Sequence, residues 1–242
     1  MTHDYPPPIV TDQPELPFED ISSLTREEQR VIAWLKTQEV ETIETITATL
    51  FLMDGESRRS RAERWVEIRS VQVPYDRDEG FPIMGGPEAI WLYDEACHSY
   101  AESMYLAALL CAHSACEREL AGCLEFFEAQ LPPRWQTWGL GKLVSEASRL
   151  GLIDQTLRDK LYEVSELRKV SAHFKPPQTP NSIIRRAGQF PAEKLWRNEE
   201  DSSYFGVMRV DALLAIETST ELLRGNQGLF YRIRTAKLRK DR

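Results

Sequence analysis

The feature that most constrains this chain is an apolar stripe on a helical period running from about Asp94 to Gln130. Leu106, Leu109, Leu110, Leu120, Leu124 and Phe127 recur on one side of it, and Pro132 and Pro133 stop it. A stripe of that length cannot be left in water, so it requires further helices to pack against. Three more segments supply them. LVSEASRLG reads as a short helix closed by Gly151, after a linker holding Trp135, Trp138, Gly139 and Gly141. Asp154 then caps DQTLRDKLYEVSELRKVSAHF, whose Leu157, Leu161, Val164, Leu167 and Val170 share a face and which Pro176 and Pro177 end. A last amphipathic helix is expected from near Asp211, with Gly225 and Asn226 offering a stop, after which GLFYRIRTAKLRK can resume. The loop between Phe174 and about Met208 is long and proline-bearing, as functional insertions are. The expected fold is mainly α, a helical bundle over 94–242 with a basic C-terminal tail.

The first part of the chain is harder to read. Residues 1–20 contain Pro6, Pro7, Pro8, Pro14 and Pro17 among acids, the composition of a flexible tail. Within 21–93, Thr25 and Glu28 have capping-box spacing, so a helix is expected to start near Thr25, with Val31, Ile32 and Leu35 following at helical intervals. Val40 to Met53 fits a helix, yet ITATLFL and WVEIRSVQV also fit strands, so a small β-hairpin across DGESRRS stands as an alternative. A winged-helix-like DNA-binding regulator over 25–73 would use that hairpin, but no recognition helix accompanies it. The breakers from Pro74 to Pro87 read as a connector.

Composition narrows the function. No apolar run approaches the roughly 18 to 20 residues of a membrane span, and MTHDYPPPIV lacks the basic head and apolar stretch of a secretion signal, so a cytoplasmic protein without membrane partners is expected. The net charge of −8 argues against a surface that coats nucleic acid throughout. Local basic runs exist at Arg58, Arg59, Arg61 and Arg64, and from Arg232 to Arg242; each taken alone reads better as a solvated face or a tail than as a nucleic-acid patch. Cys97, Cys111, Cys116 and Cys123 all fall in one helical segment. That placement suits reduced packing residues better than a disulfide framework or a zinc site with His113, and neither metal nor cofactor is expected.

The string that points to chemistry is ELRKVSAHF. Arg168 offers a planar fork to phosphate oxygens, and His173 can move protons near neutral pH, a helix C-terminus favouring its cationic form. Five steps of about 100° place the two roughly 140° apart on a regular helix, so a loosened last turn is needed to bring both heads to one rim. Lys169 lies one turn before His173. On the long helix His113 and Glu117, four apart, interrupt the apolar stripe; they pair with each other or with the cations of ELRK.

The order ALLCAHSACERELAGCLEFF, LGKLVSEASRLGLI, LRDKLYEVSELRKVSAHF and a late amphipathic helix resembles the HEPN superfamily (higher eukaryotes and prokaryotes nucleotide-binding), over about residues 94–228. It is most similar to stand-alone prokaryotic members tied to defence and toxin–antitoxin systems. The resemblance implies a helical bundle, commonly a homodimer, with Arg168 and His173 at the two fixed positions of an Arg-x4-to-6-His motif and Glu117 as the acidic residue of the preceding helix. It implies either a metal-independent endoribonuclease or a catalytically silent bundle that binds RNA, an antitoxin or another defence-system protein. Lys169 departs from the Asn, Asp or His usual after the motif arginine in active members, because lysine accepts no hydrogen bond.

Overall fold

The computed structural model of the chain describes residues 25–38, 42–71, 83–173, 176, 179, 181–188 and 203–240, without the side chains of 43, 56, 203 and 226–240. The readings of a tail over 1–20 and of most of the Pro74 to Pro87 connector lie outside these residues. All the regular elements described are helical. The chain divides into two compact units, Met1–Arg58 and Arg59–Arg242.

In the first unit, α1 (Arg26–Leu35) starts where the sequence places it. Thr25 accepts from the Glu28 amide, and Glu28 reaches back to the Thr25 amide at 2.7 Å, the reciprocal pair that satisfies two otherwise orphaned donors. The start of α2 (Ile43–Val71) repeats the device with Thr42 and Thr45, whose amides each bond the other's hydroxyl.

The expected alternative of a hairpin is corrected here. ITATLFL, DGESRRS and the described part of WVEIRSVQV form one continuous helix of 29 residues. β-Branched residues disfavour helix by only tenths of a kcal/mol each, about 0.7 at most. The polar middle that was to turn instead pairs along the helix, Arg58 with Asp54 and Arg59 with Glu63 at i,i+4 spacing. The arginine run is therefore largely structural: Arg61 meets Glu102, and Arg64, 3% exposed, donates Nε to the Ala101 carbonyl at 2.7 Å.

In the second unit the long stripe is two helices, α3 (Pro87–Ala101) and α4 (Tyr105–Glu125). Pro87 begins α3 after Gly86, whose φ of 76° a side chain would strain. Ser103 takes a left-handed φ of 61° and Met104 donates to the Ser99 carbonyl at 2.8 Å, closing α3 and turning the chain back. With no Gly or Pro at this break, the sequence period ran through it.

α5 (Leu140–Arg149) and α6 (Gln155–Ala172) follow, then the short α7 (Ile183–Ala187) inside the expected long loop, and α8 (Ser203–Lys240). α8 starts earlier than Asp211 and runs through Gly225 and Asn226, since one helical glycine costs only about 1 kcal/mol. Its buried face mixes small and large residues, Ala212, Ala215 and Ser219 with Ile216, Leu222 and Leu223, and Ser219 Oγ donates to the Ala112 carbonyl of α4 at 3.1 Å. α7 is clamped to α8 by Arg186, which bonds both oxygens of the buried Asp211 at 2.6 Å. Leu143 and Val144 of α5 and Leu161 and Val164 of α6 complete one core with α3, α4 and α8. Among the described residues, no helix is long and apolar enough to cross a membrane.

Candidate functional site

The site is built at the end of α6. Asp154 caps its start by accepting from the Leu157 amide at 2.9 Å, and Leu157, Leu161, Val164 and Leu167 bury one face. At the other end the helix stops at Ala172. His173 is extended, with φ −117° and ψ 141°, so the regular helical angle no longer separates it from Arg168. The two heads meet: Arg168 Nη1 lies 2.8 Å from His173 Nε2. Arginine carries no acceptor, so this bond exists only with Nε2 unprotonated and its lone pair turned to Arg168. In this arrangement His173 Nε2 accepts the hydrogen bond that Arg168 donates. Arg168 is half-buried and His173 exposed, so both heads are reachable from solvent. Lys169 is exposed too, and it is engaged in an ion pair with Glu166.

His113 comes to this group from α4. It is 7% exposed, and burial, followed by the charges of Arg168 and Lys169, pushes its imidazole down to about 4. His113 is thus a neutral hydrogen-bonding group at pH 7, set beside two cations. The shift carries a stability signature. A folded value below the ordinary 6.5 means that the contribution is complete above pH 6.5 and is lost as pH falls from 6.5 towards 4. A drop of roughly 2 to 4 kcal/mol is expected across that interval, and His113→Gln should flatten it. Denaturant midpoints at a series of pH values check this; parallel curves for the two proteins would refute it.

Glu117 has a different role from the one expected. Its carboxylate accepts from the Leu140 amide at 2.9 Å, capping α5, whose N-cap Gly139 has no side chain to do so. Among the described residues Glu117 makes no ion pair with Arg168 or with His113, so neither pairing expected for it forms. The structure therefore brings together Arg168 and His173, leaves Lys169 on Glu166, sets His113 within the field of the two cations, and leaves Glu117 one turn along α4 as an anchor for α5.

The fully buried acid of α4 is Glu119, which the leucine stripe did not reveal. It accepts from the Met84 and Gly85 amides at 2.9 and 2.8 Å, tying that turn to α4. A periodicity count that gave Ala and Cys equal weight would have found it, because Ala112, Cys116, Glu119 and Cys123 share one buried edge while Leu106 is 40% exposed. The cysteines are packing residues. All four are free, burial pushes the Cys116 thiol up to about 12, and it holds Cys123 well above its ordinary value. Among the described residues no group of three potential metal ligands gathers.

No protein-family model, curated protein or solved structure matches this chain.

Proposed function

We propose that this chain is a metal-independent RNA endonuclease of the HEPN type, with Arg168 and His173 acting on one scissile phosphate. The observation that carries the reading is the 2.8 Å approach of the guanidinium to the imidazole at an accessible helix end. A phosphate entering the site takes the Arg168 fork and frees the His173 lone pair. His173 Nε2 then accepts the proton of the ribose 2′-hydroxyl as the 2′-oxygen attacks phosphorus. The P–O5′ bond breaks, the imidazolium returns the proton to the departing 5′-oxygen, and Arg168 balances the charge that builds on the phosphorane. The products are a 2′,3′-cyclic phosphate and a 5′-hydroxyl. His113, held neutral by burial, adds no charge to the site. A cytoplasmic homodimer acting in a defence or toxin–antitoxin setting, with an antitoxin or defence-system partner, belongs to the same proposal through the resemblance.

A second reading has its own support. Lys169 is spent on Glu166, and the Arg168–His173 bond is closed on itself, as in a catalytically silent bundle that binds RNA or a protein. Incubating the purified chain with total RNA and excess chelator separates the two. Cleavage is expected under the first reading; intact RNA after prolonged incubation would leave the binding module.

A further inference from the structure

The two basic runs of the chain meet different fates in the fold. In α2 each arginine finds a partner: Arg58 meets Asp54, Arg59 meets Glu63, Arg61 meets Glu102, and Arg64 donates to the Ala101 carbonyl. Between Asn226 and Lys240 the sequence holds five cations, Arg232, Arg234, Lys237, Arg239 and Lys240, and no acidic side chain. This second run is not a loose tail, because α8 is one helix from Ser203 to Lys240. Leu222 and Leu223 are buried, whereas Gly225 is exposed and a Cβ there would meet nothing within 4 Å. The helix then continues to Lys240, a further run of roughly 22 Å at 1.5 Å per residue.

Helix physics accounts for only part of this charge. The negative end of the helix dipole favours cations within the last turn, which covers Lys237, Arg239 and Lys240 but neither Arg232 nor Arg234. Positions 234, 237 and 240 are spaced three apart, where like charges are neighbours and repel. Successive positions turn by about 100°, so the five cations lie all round the axis rather than opposite an apolar stripe. A helix that rests on a membrane surface or in a protein groove keeps its charges to one side. A single nucleic-acid strand, charged at every phosphate and free to bend, can meet cations on several sides of a rod. Phe230 and Tyr231 directly precede Arg232, and they are the residue types on which unpaired bases stack.

We infer that the end of α8, over 226–240, captures single-stranded RNA through its phosphates. The inference rests on the RNA reading for the substrate it serves, but binding by this arm is measurable without cleavage. The test uses the full chain carrying His173→Ala, with chelator, and a fluorescent oligouridylate, which forms no duplex. Adding Arg232→Gln/Arg234→Gln/Lys237→Gln/Arg239→Gln/Lys240→Gln should weaken binding at least about tenfold. It should also flatten the fall of log K with log salt by about 3, each lost contact to a single strand removing about 0.7. Arg232→Lys/Arg234→Lys/Arg239→Lys keeps the charge and should keep the slope. Equal affinity and slope in the Gln variant, or the same loss in the Lys variant, would overturn the inference. Tighter binding of an RNA duplex, or of phosphatidylserine vesicles, through the same cations would overturn the assignment to a single strand. Cleavage by the unaltered chain with unchanged binding in the Gln variant sinks this inference alone. Lost binding in the Gln variant, with no cleavage by the unaltered chain, sinks the endonuclease reading alone.

Discussion

His173→Ala protein should cleave RNA about a hundredfold to ten-thousandfold more slowly than the unaltered chain, with its melting temperature within a degree or two. The expected loss reflects removal of the group that both takes and returns the proton, whose contribution alone is typically 10² to 10⁴-fold. Stability should hold because His173 is exposed, lies beyond the last residue of α6 and, among the described residues, bonds only Arg168. Arg168→Lys is the informative companion. Lysine keeps the charge but loses the planar fork, so a loss of about a hundredfold or more identifies bidentate phosphate contact rather than simple attraction. A gel or fluorogenic assay on a defined RNA reads both. An unchanged rate for His173→Ala would remove the catalytic role of this residue.

Gly122→Ala should be the most destabilising single methyl in the second unit. A Cβ at Gly122 would stand 2.0 Å from the Met84 carbonyl oxygen and 2.2 Å from its carbon. Both are backbone atoms, so no side chain can swing aside. The turn cannot retreat cheaply either, because the Met84 and Gly85 amides are held by Glu119, a fully buried carboxylate that would lose both of those donors. A cost of about 3 kcal/mol or more is expected, which in a chain of this size lowers the melting temperature by roughly 6 to 12 °C. Gly225→Ala is the internal control. Nothing lies within 4 Å of its Cβ position and the residue is helical, so alanine should be neutral or stabilise by about 0.5 to 1 kcal/mol. Calorimetry on the two variants gives the comparison; equal effects would contradict the packing described at the Met84 turn.

What could be read from the sequence were the features whose physics is local. The Thr25–Glu28 box and the Asp154 cap are satisfied within three residues, and both helices begin where those residues place them. The bundle itself follows from amphipathic periods interrupted by proline. The meeting of Arg168 and His173 needed only the helix to end before His173, and Pro176 and Pro177 were the warning of that.

The misread features depend on tertiary contacts. Ser103 reverses the chain between α3 and α4 in a conformation usually reserved for glycine, held by local backbone bonds and by the packing of the two helices rather than by a glycine or proline. The β-branched start of α2 favours neither helix nor strand decisively until its charged middle pairs at i,i+4 spacing along the helix. Glu117 and Glu119 differ by two positions on α4, yet one caps α5 at its surface and the other pins a distant turn in the core. Such partners come from chain 20 to 35 residues away, and no periodicity of α4 alone encodes them.

The most direct test of the account is the chemistry of the RNA ends. Products made in the presence of chelator are labelled and resolved before and after treatment that opens cyclic phosphates. Attack by the 2′-oxygen, with His173 moving the proton, predicts 2′,3′-cyclic phosphate and 5′-hydroxyl termini and no cleavage at a 2′-deoxy position. Products ending in 5′-phosphate and 3′-hydroxyl, or equal cleavage at the 2′-deoxy position, would mean that water attacks phosphorus and that the guanidinium and imidazole do not work as described.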